Sequence, residues 1–287
     1  MLQRTWVMPM LKLVLALAMG SDGVSALGAL PEPVGFASLD GTPLKAWVFR
    51  PTDQPAGTVV ALHGCGGLYA TSGARRGQLN ARHQALADLL LAQGYAVVFP
   101  DSLSPRGVAQ LCRQRIGDRA ITQTQRRHDA LATLNWVAAQ PWASASKIAL
   151  LGWSHGGSAV LSATDAGQRE VAAQAVKAGV AIAFYPGCGA ARKAGYRPNT
   201  RLLMLLGALD DWTPPGPCVE LGQTVGAEVH VYPDSYHDFD NPVGSVKLLA
   251  GIPNGVHPGQ GVHAGPNEQA REQAYARVLE LLRAAFD

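Results

Sequence analysis

Long apolar runs are scarce in this chain of 287 residues. The one candidate span, Leu13 to Met19, is too short to cross a bilayer, so no stable membrane insertion is expected. Charge of one sign is also missing. Lys and Arg number 24 against 21 Asp and Glu, a net charge of +3, and no basic run of the kind that tracks a phosphate backbone occurs. The nearest features, Arg75-Arg76 and Arg126-Arg127, read as solvated surface pairs, so nucleic acid is not an expected partner. Cysteine is limited to four, Cys65, Cys112, Cys188 and Cys218. There is no CxxC pair and no Cys/His cluster at zinc-site spacing, so neither a metal nor another cofactor is expected.

What is present begins with a patterned N-terminus. Arg4 and Lys12 precede the apolar stretch, and Ser25, Ala26, Gly28 and Ala29 follow it. This order is that of a secretory signal, with cleavage expected after Ala26. Residues 30–287 then read as one domain, a length suited to one large α/β unit. Four cysteines in an exported chain permit two disulfides.

Strands and helices alternate along that domain. The apolar run Thr58 to His63 suits a parallel strand buried on both faces. Further strands are expected at 47–49, 95–99, 147–151, 179–185, 202–206 and 228–232. Helices are expected over 80–93 and about 121–140, the latter stopped by Pro141, and a last helix is capped by Asn267. Residues 240–266, rich in Gly and Pro, read as loop. The fold class is α/β, a doubly wound, mainly parallel sheet, whose ligands bind beyond the carboxyl ends of the strands.

Four polar motifs fall at those ends. Gly152-Trp153-Ser154-His155-Gly156 follows the strand ending at Leu151. A strand–turn–helix with glycines two residues either side of a serine lifts the hydroxyl clear of the sheet, which makes Ser154 the candidate nucleophile. His63-Gly64-Cys65-Gly66-Gly67 ends the strand from Thr58. Such a loop can meet an oxyanion, with the N–H of Cys65 first and Gly66 second among its candidates, joined by the N–H of His155 after the nucleophile. Asp210 and Asp211, after the strand ending at Leu206, compete to be the acid. Among the histidines that follow them, His230 lies within a strand, and His257 and His263 sit in the Gly-rich loop. His237 is the remaining base. Arg106 is a candidate for binding a substrate carboxylate, against a salt bridge to Asp101. Trp153 and Trp212 are candidates for packing or pocket wall. Disulfides are expected between Cys65 and Cys112 and between Cys188 and Cys218, because each pair follows strands at one sheet edge.

The segments HGCGGLY at 63–69, DSLSPRG at 101–107, GWSHGG at 152–157, YPGC at 185–188, GALDDWTPP at 207–215 and YHDFD at 236–240 together resemble the dienelactone hydrolase family, over roughly residues 40–285. The resemblance implies an α/β-hydrolase fold, selects Asp210 as the acid and matches His237 to the base. The founding members carry cysteine where this chain has Ser154, so the likeness implies a hydrolase of small-molecule carboxylic esters or lactones rather than the dienelactone itself. Two alternatives remain: a serine peptidase of the prolyl oligopeptidase kind, and a non-catalytic binding protein on the same fold. Nothing in the sequence fixes an oligomeric state.

Overall fold

The computed structural model describes residues 31–287, so the expected export signal lies outside the described residues. In chain order the strands and helices are β1 (Glu32–Ala37), β2 (Pro43–Phe49), β3 (Thr58–Leu62), α1 (Ala81–Ala92), β4 (Ala96–Asp101), α2 (Gln123–Ala138), β5 (Ile148–Trp153) and α3 (His155–Ala163). They continue with α4 (Arg169–Ala172), β6 (Val180–Phe184), α5 (Gly189–Lys193), β7 (Arg201–Gly207), α6 (Gly216–Val225), β8 (Glu228–Tyr232), β9 (Lys247–Leu249), β10 (Val262–Ala264) and α7 (Glu268–Phe286). Eight strands form one sheet in the order β1-β2-β4-β3-β5-β6-β7-β8. The β1–β2 and β2–β4 pairings are antiparallel, and every pairing from β4 to β8 is parallel.

The period-2 alternation of the strands builds two cores. In β3, Val59 and Ala61 pack toward α1 and α7, against Leu86, Leu90, Val278 and Leu282. Val60 and Leu62 face the other way, toward Leu131, Leu134 and Val160 on α2 and α3. Each fully buried Val, Leu or Phe contributes about 1.5–3 kcal/mol of transfer free energy, which is why the central strands carry no polar residue between Val59 and Leu62.

Helix starts follow capping chemistry. The Asn80 side chain accepts from the His83 N–H and that of Asn267 from the Ala270 N–H. Thr122 and Gln125 form a reciprocal capping box, which sets the start of α2 at Gln123, two residues later than the apolar pattern at Ile121 suggested.

Three expectations change. Strand β1 is an added antiparallel edge whose amphipathic sequence gave little signal. Arg126 and Arg127 are buried, at 1% and 8% exposure, rather than solvated. Residues 240–266 are an ordered excursion. β9 and β10 pair as an antiparallel ribbon, Ile252 and Val262 are buried, and the Gly265 N–H donates to the His237 carbonyl at 2.9 Å. Among the described residues no helix is long and apolar enough to cross a membrane.

Candidate active site

β5 and α3 meet at Ser154, whose backbone has φ 52° and ψ −116°. A non-glycine residue is strained there. The turn is tight enough that a methyl group on Gly152 would overlap the Gly156 carbonyl, and one on Gly156 the Leu62 carbonyl. The strain is held by the Ser154 N–H donating to the Phe184 carbonyl at 2.9 Å. It places Oγ 2.9 Å from Nε2 of His237.

His237 comes from the segment after β8. Its Nδ1 lies 2.7 Å from Oδ2 of Asp210 and 3.1 Å from Oγ1 of Thr213. The Asp210 carboxylate, almost wholly buried, is fixed in turn by the Trp212 and Thr213 N–H groups, at 2.9 and 2.8 Å to Oδ1. The imidazole lies between Tyr185 and Trp212, with ring centroids at 4.5 and 4.6 Å. Behind it, Arg82 is paired with Asp238 and donates to the Tyr185 hydroxyl, while Asp240 accepts from Tyr275 and Trp153. The base segment is thus pinned from both sides.

A cavity of about 630 Å³ opens over Ser154, lined among others by Cys65, Arg119, His155, Trp212 and Val256. Cys65 and His155 both line it, and the backbone N–H of neither donates to a protein acceptor among the described residues. The His155 N–H also stands at the positive end of α3. Burial holds the imidazoles of His63 and His155 well below their usual range, with the Arg126 charge adding to the effect. Among the described residues Arg119 is the only charged side chain in this wall. Burial lowers its pKa, and its Nε has no hydrogen-bond partner among the described residues. Among the described residues no group of three or more His, Cys, Asp or Glu could hold a metal ion.

A model of the dienelactone hydrolase family matches residues 44–286. The chain belongs to that family. Among solved structures, a dienelactone hydrolase-like promiscuous phosphotriesterase from metagenomic libraries superposes with a TM-score of 0.63, at 20% identity, over 90% of this chain and 99% of that one. Thermogutta terrifontis esterase 2, phosphorylated by paraoxon, superposes at 0.59 and 16% identity, covering 89% and 95%. Porphyromonas gingivalis dipeptidyl peptidase 4 superposes at 0.57 and 16% identity, but this chain covers only 35% of it. At these identities the likenesses show the α/β-hydrolase fold and no more. No curated protein matches the chain.

Within this dienelactone hydrolase family member, both expected disulfides are present, Cys65–Cys112 and Cys188–Cys218. The first ties the 63–67 loop to the segment that carries Arg119. Two sequence candidates for substrate contact are misplaced. Arg106 does not face the cavity: its guanidinium is taken by Asp129, at 2.8 and 2.9 Å, and by Asp40, at 2.8 Å. Asp101 instead accepts from the Leu103 and Ser104 N–H groups. Trp153 is fully buried, because strand alternation turns it to the α1/α7 face, where Nε1 donates to Asp240. Trp212 does line the cavity. Sequence reasoning missed Thr213, Tyr185 and Arg119. Thr213 carried a weak signal, since an aspartate that closes a turn on the backbone after it brings the residues just downstream beside its carboxylate. Arg119 carried none.

Proposed function

We propose that this member of a hydrolase family is a serine-dependent esterase acting through an acyl-enzyme. The observation that carries the reading is the unbroken chain Ser154 Oγ, His237 Nε2, His237 Nδ1, Asp210 Oδ2, with links of 2.9 and 2.7 Å, at the floor of a cavity. His237 takes the Ser154 proton as Oγ attacks an ester carbonyl. Asp210 holds the tautomer and stabilises the imidazolium. The tetrahedral oxyanion meets the N–H groups of Cys65 and His155. His237 then protonates the leaving alcohol, activates a water against the acyl-enzyme and returns Ser154 to its starting state.

The wall, largely apolar with Arg119 as its single charge, favours carboxylic esters or lactones that pair an apolar body with an anionic group. Two disulfides fit an oxidising compartment. With the N-terminal pattern, they support a reading in which residues 1–26 direct export and residues 30–287 form one hydrolase domain. The peptidase alternative has less support, since the likeness to that peptidase, at 16% identity, shows the fold alone. A fluorophosphonate probe tests the reading: labelling at Ser154, abolished in Ser154→Ala, supports it, and a wild-type protein that neither labels nor turns over short-chain esters overturns it in favour of a binding protein.

A further inference from the structure

Arg126 sits where a cation is unfavourable three times over. It is buried, at 1% exposure. It lies in the first turn of α2, near the positive end of the helix dipole. Among the described residues it has no carboxylate within 4 Å: Asp129 is occupied by Arg106 and Ser38, and Asp101 by backbone N–H groups. What the guanidinium does touch is His63. Nη2 donates to the His63 carbonyl at 2.7 Å, and Nη1 lies 3.2 and 3.3 Å from the two ring nitrogens, against the imidazole.

His63 in turn sets the peptide that follows. Its Nε2 accepts from the Ser102 N–H at 3.3 Å, which leaves the proton on Nδ1, and Nδ1 donates to the Gly64 carbonyl at 2.8 Å. No peptide bond among the described residues is cis. In a trans peptide the C=O of Gly64 and the N–H of Cys65 point in opposite directions. Holding the carbonyl against His63 therefore turns the Cys65 N–H the other way, and both Cys65 and Ser154 line the cavity. From the far side, the Cys65 carbonyl accepts from Leu111 at 2.8 Å.

We infer that Arg126 is a positioning residue for the oxyanion site: by holding the carbonyl and ring of His63, it orients the Cys65 N–H toward Ser154. The inference rests on the esterase reading above. Arg126 touches neither substrate nor reacting atoms, and it acts on the transition state, where the oxygen carries charge, more than on the bound ester.

The test compares wild type with Arg126→Met and Arg126→Lys, each normalised to the active sites titrated by a fluorophosphonate. In Arg126→Met, kcat falls by about 10- to 100-fold, less than the full loss of an oxyanion donor, while KM stays within about threefold. Ki for phenylboronic acid, which adds to Ser154 Oγ and places an oxygen in the same site, rises by the same factor as kcat falls. Arg126→Lys recovers part of both, since an ammonium can reach the carbonyl but cannot also lie against the ring. Should Arg126→Met fail to fold, a parallel change of kcat and Ki in Arg126→Lys carries the inference. Wild-type values of both per titrated site, in whichever variants fold, overturn it. A loss of titratable sites with unchanged kcat per site also overturns it, as that is the mark of a purely structural role. If wild type itself neither labels nor hydrolyses, the esterase reading fails first and the inference falls with it.

Discussion

Two adjacent aspartates each hold a histidine through the same contact, Nδ1 to Oδ2 at 2.7 Å: Asp210 with His237 and Asp211 with His263. Their surroundings differ. The first pair is nearly sealed, with side chains 3% and 1% exposed, and the far nitrogen of His237 faces Ser154 Oγ. The second pair is 42% and 28% exposed, and Asp211 also accepts from the His263 N–H, while its carbonyl accepts from the Val256 N–H. The Asp211 pair fastens the 240–266 excursion beside the cavity. A histidine–aspartate contact alone does not define a catalytic base; what the second ring nitrogen faces, and how dry the pair is, does.

The contrast is broken most directly by removing each imidazole. His237→Ala is expected to lower kcat by at least about 1,000-fold, and His263→Ala by no more than about threefold, both measured on a short-chain aryl ester. Equal losses would make the second pair part of the chemistry. The acids should follow the same order. Asp210→Asn leaves the geometry but presents the wrong hydrogen-bonding partner to Nδ1, and should cost about three to four orders of magnitude in kcat. Asp211→Asn should stay within a few-fold. A reversal would show that His237 can turn to the neighbouring acid.

How far this contrast was legible in the sequence differs from part to part. Ser154 and His237 were legible because a turn flanked by glycines and a histidine after the last sheet strand are local features. The choice between Asp210 and Asp211 was not, because both stand at the same strand end and only the side-chain directions separate them; the family likeness, not the spacing, made it. His263 was set aside as loop-borne, yet burial of Val262 and the β9–β10 ribbon hold its segment firmly. Such pairing is non-local and invisible in a Gly-rich stretch. Arg126 did leave a trace: it shares a helical stripe with Ala130, Thr133 and Val137, all buried. Arg106 and Arg119 could not be told apart, since only the fold shows that Asp40 and Asp129 converge on one and no acid on the other.

A third set of imidazoles, in His63, His83 and His155, has no carboxylate within 4 Å among the described residues. Burial holds all three low, His83 down to about 3. Their unfolded counterparts take up protons from about pH 6.5 downward. The stability they carry is therefore complete above about pH 6.5 and is lost as pH falls toward the folded values, at up to about 1.4 kcal/mol per pH unit for each imidazole. Urea denaturation from pH 7.5 to 4.5 should show unfolding coupled to uptake of more than one proton. A flat profile would mean that these rings are protonated, or hydrated, in the native protein.

The smallest expected effect on catalysis tests the same distinction, a saturated side chain against one that faces open space, on two arginines. Arg106 is saturated: Asp129, whose side chain is fully buried, depends on it. Arg106→Ala should destabilise the fold by about 3–5 kcal/mol, because it strands a buried carboxylate, and should leave the KM ratio between anionic and neutral esters unchanged. Arg119 has no partner among the described residues to strand. Its removal should leave the unfolding midpoint nearly unchanged and raise KM by about three- to tenfold for esters that carry a carboxylate, but not for neutral esters of the same size. That range corresponds to about 0.7–1.4 kcal/mol, modest because the cavity is open to water and the contact is partly screened. Raising the salt concentration should therefore shrink the wild-type preference toward that of Arg119→Ala. If Arg119→Ala raises KM equally for both ester types, the residue acts as wall rather than as charge.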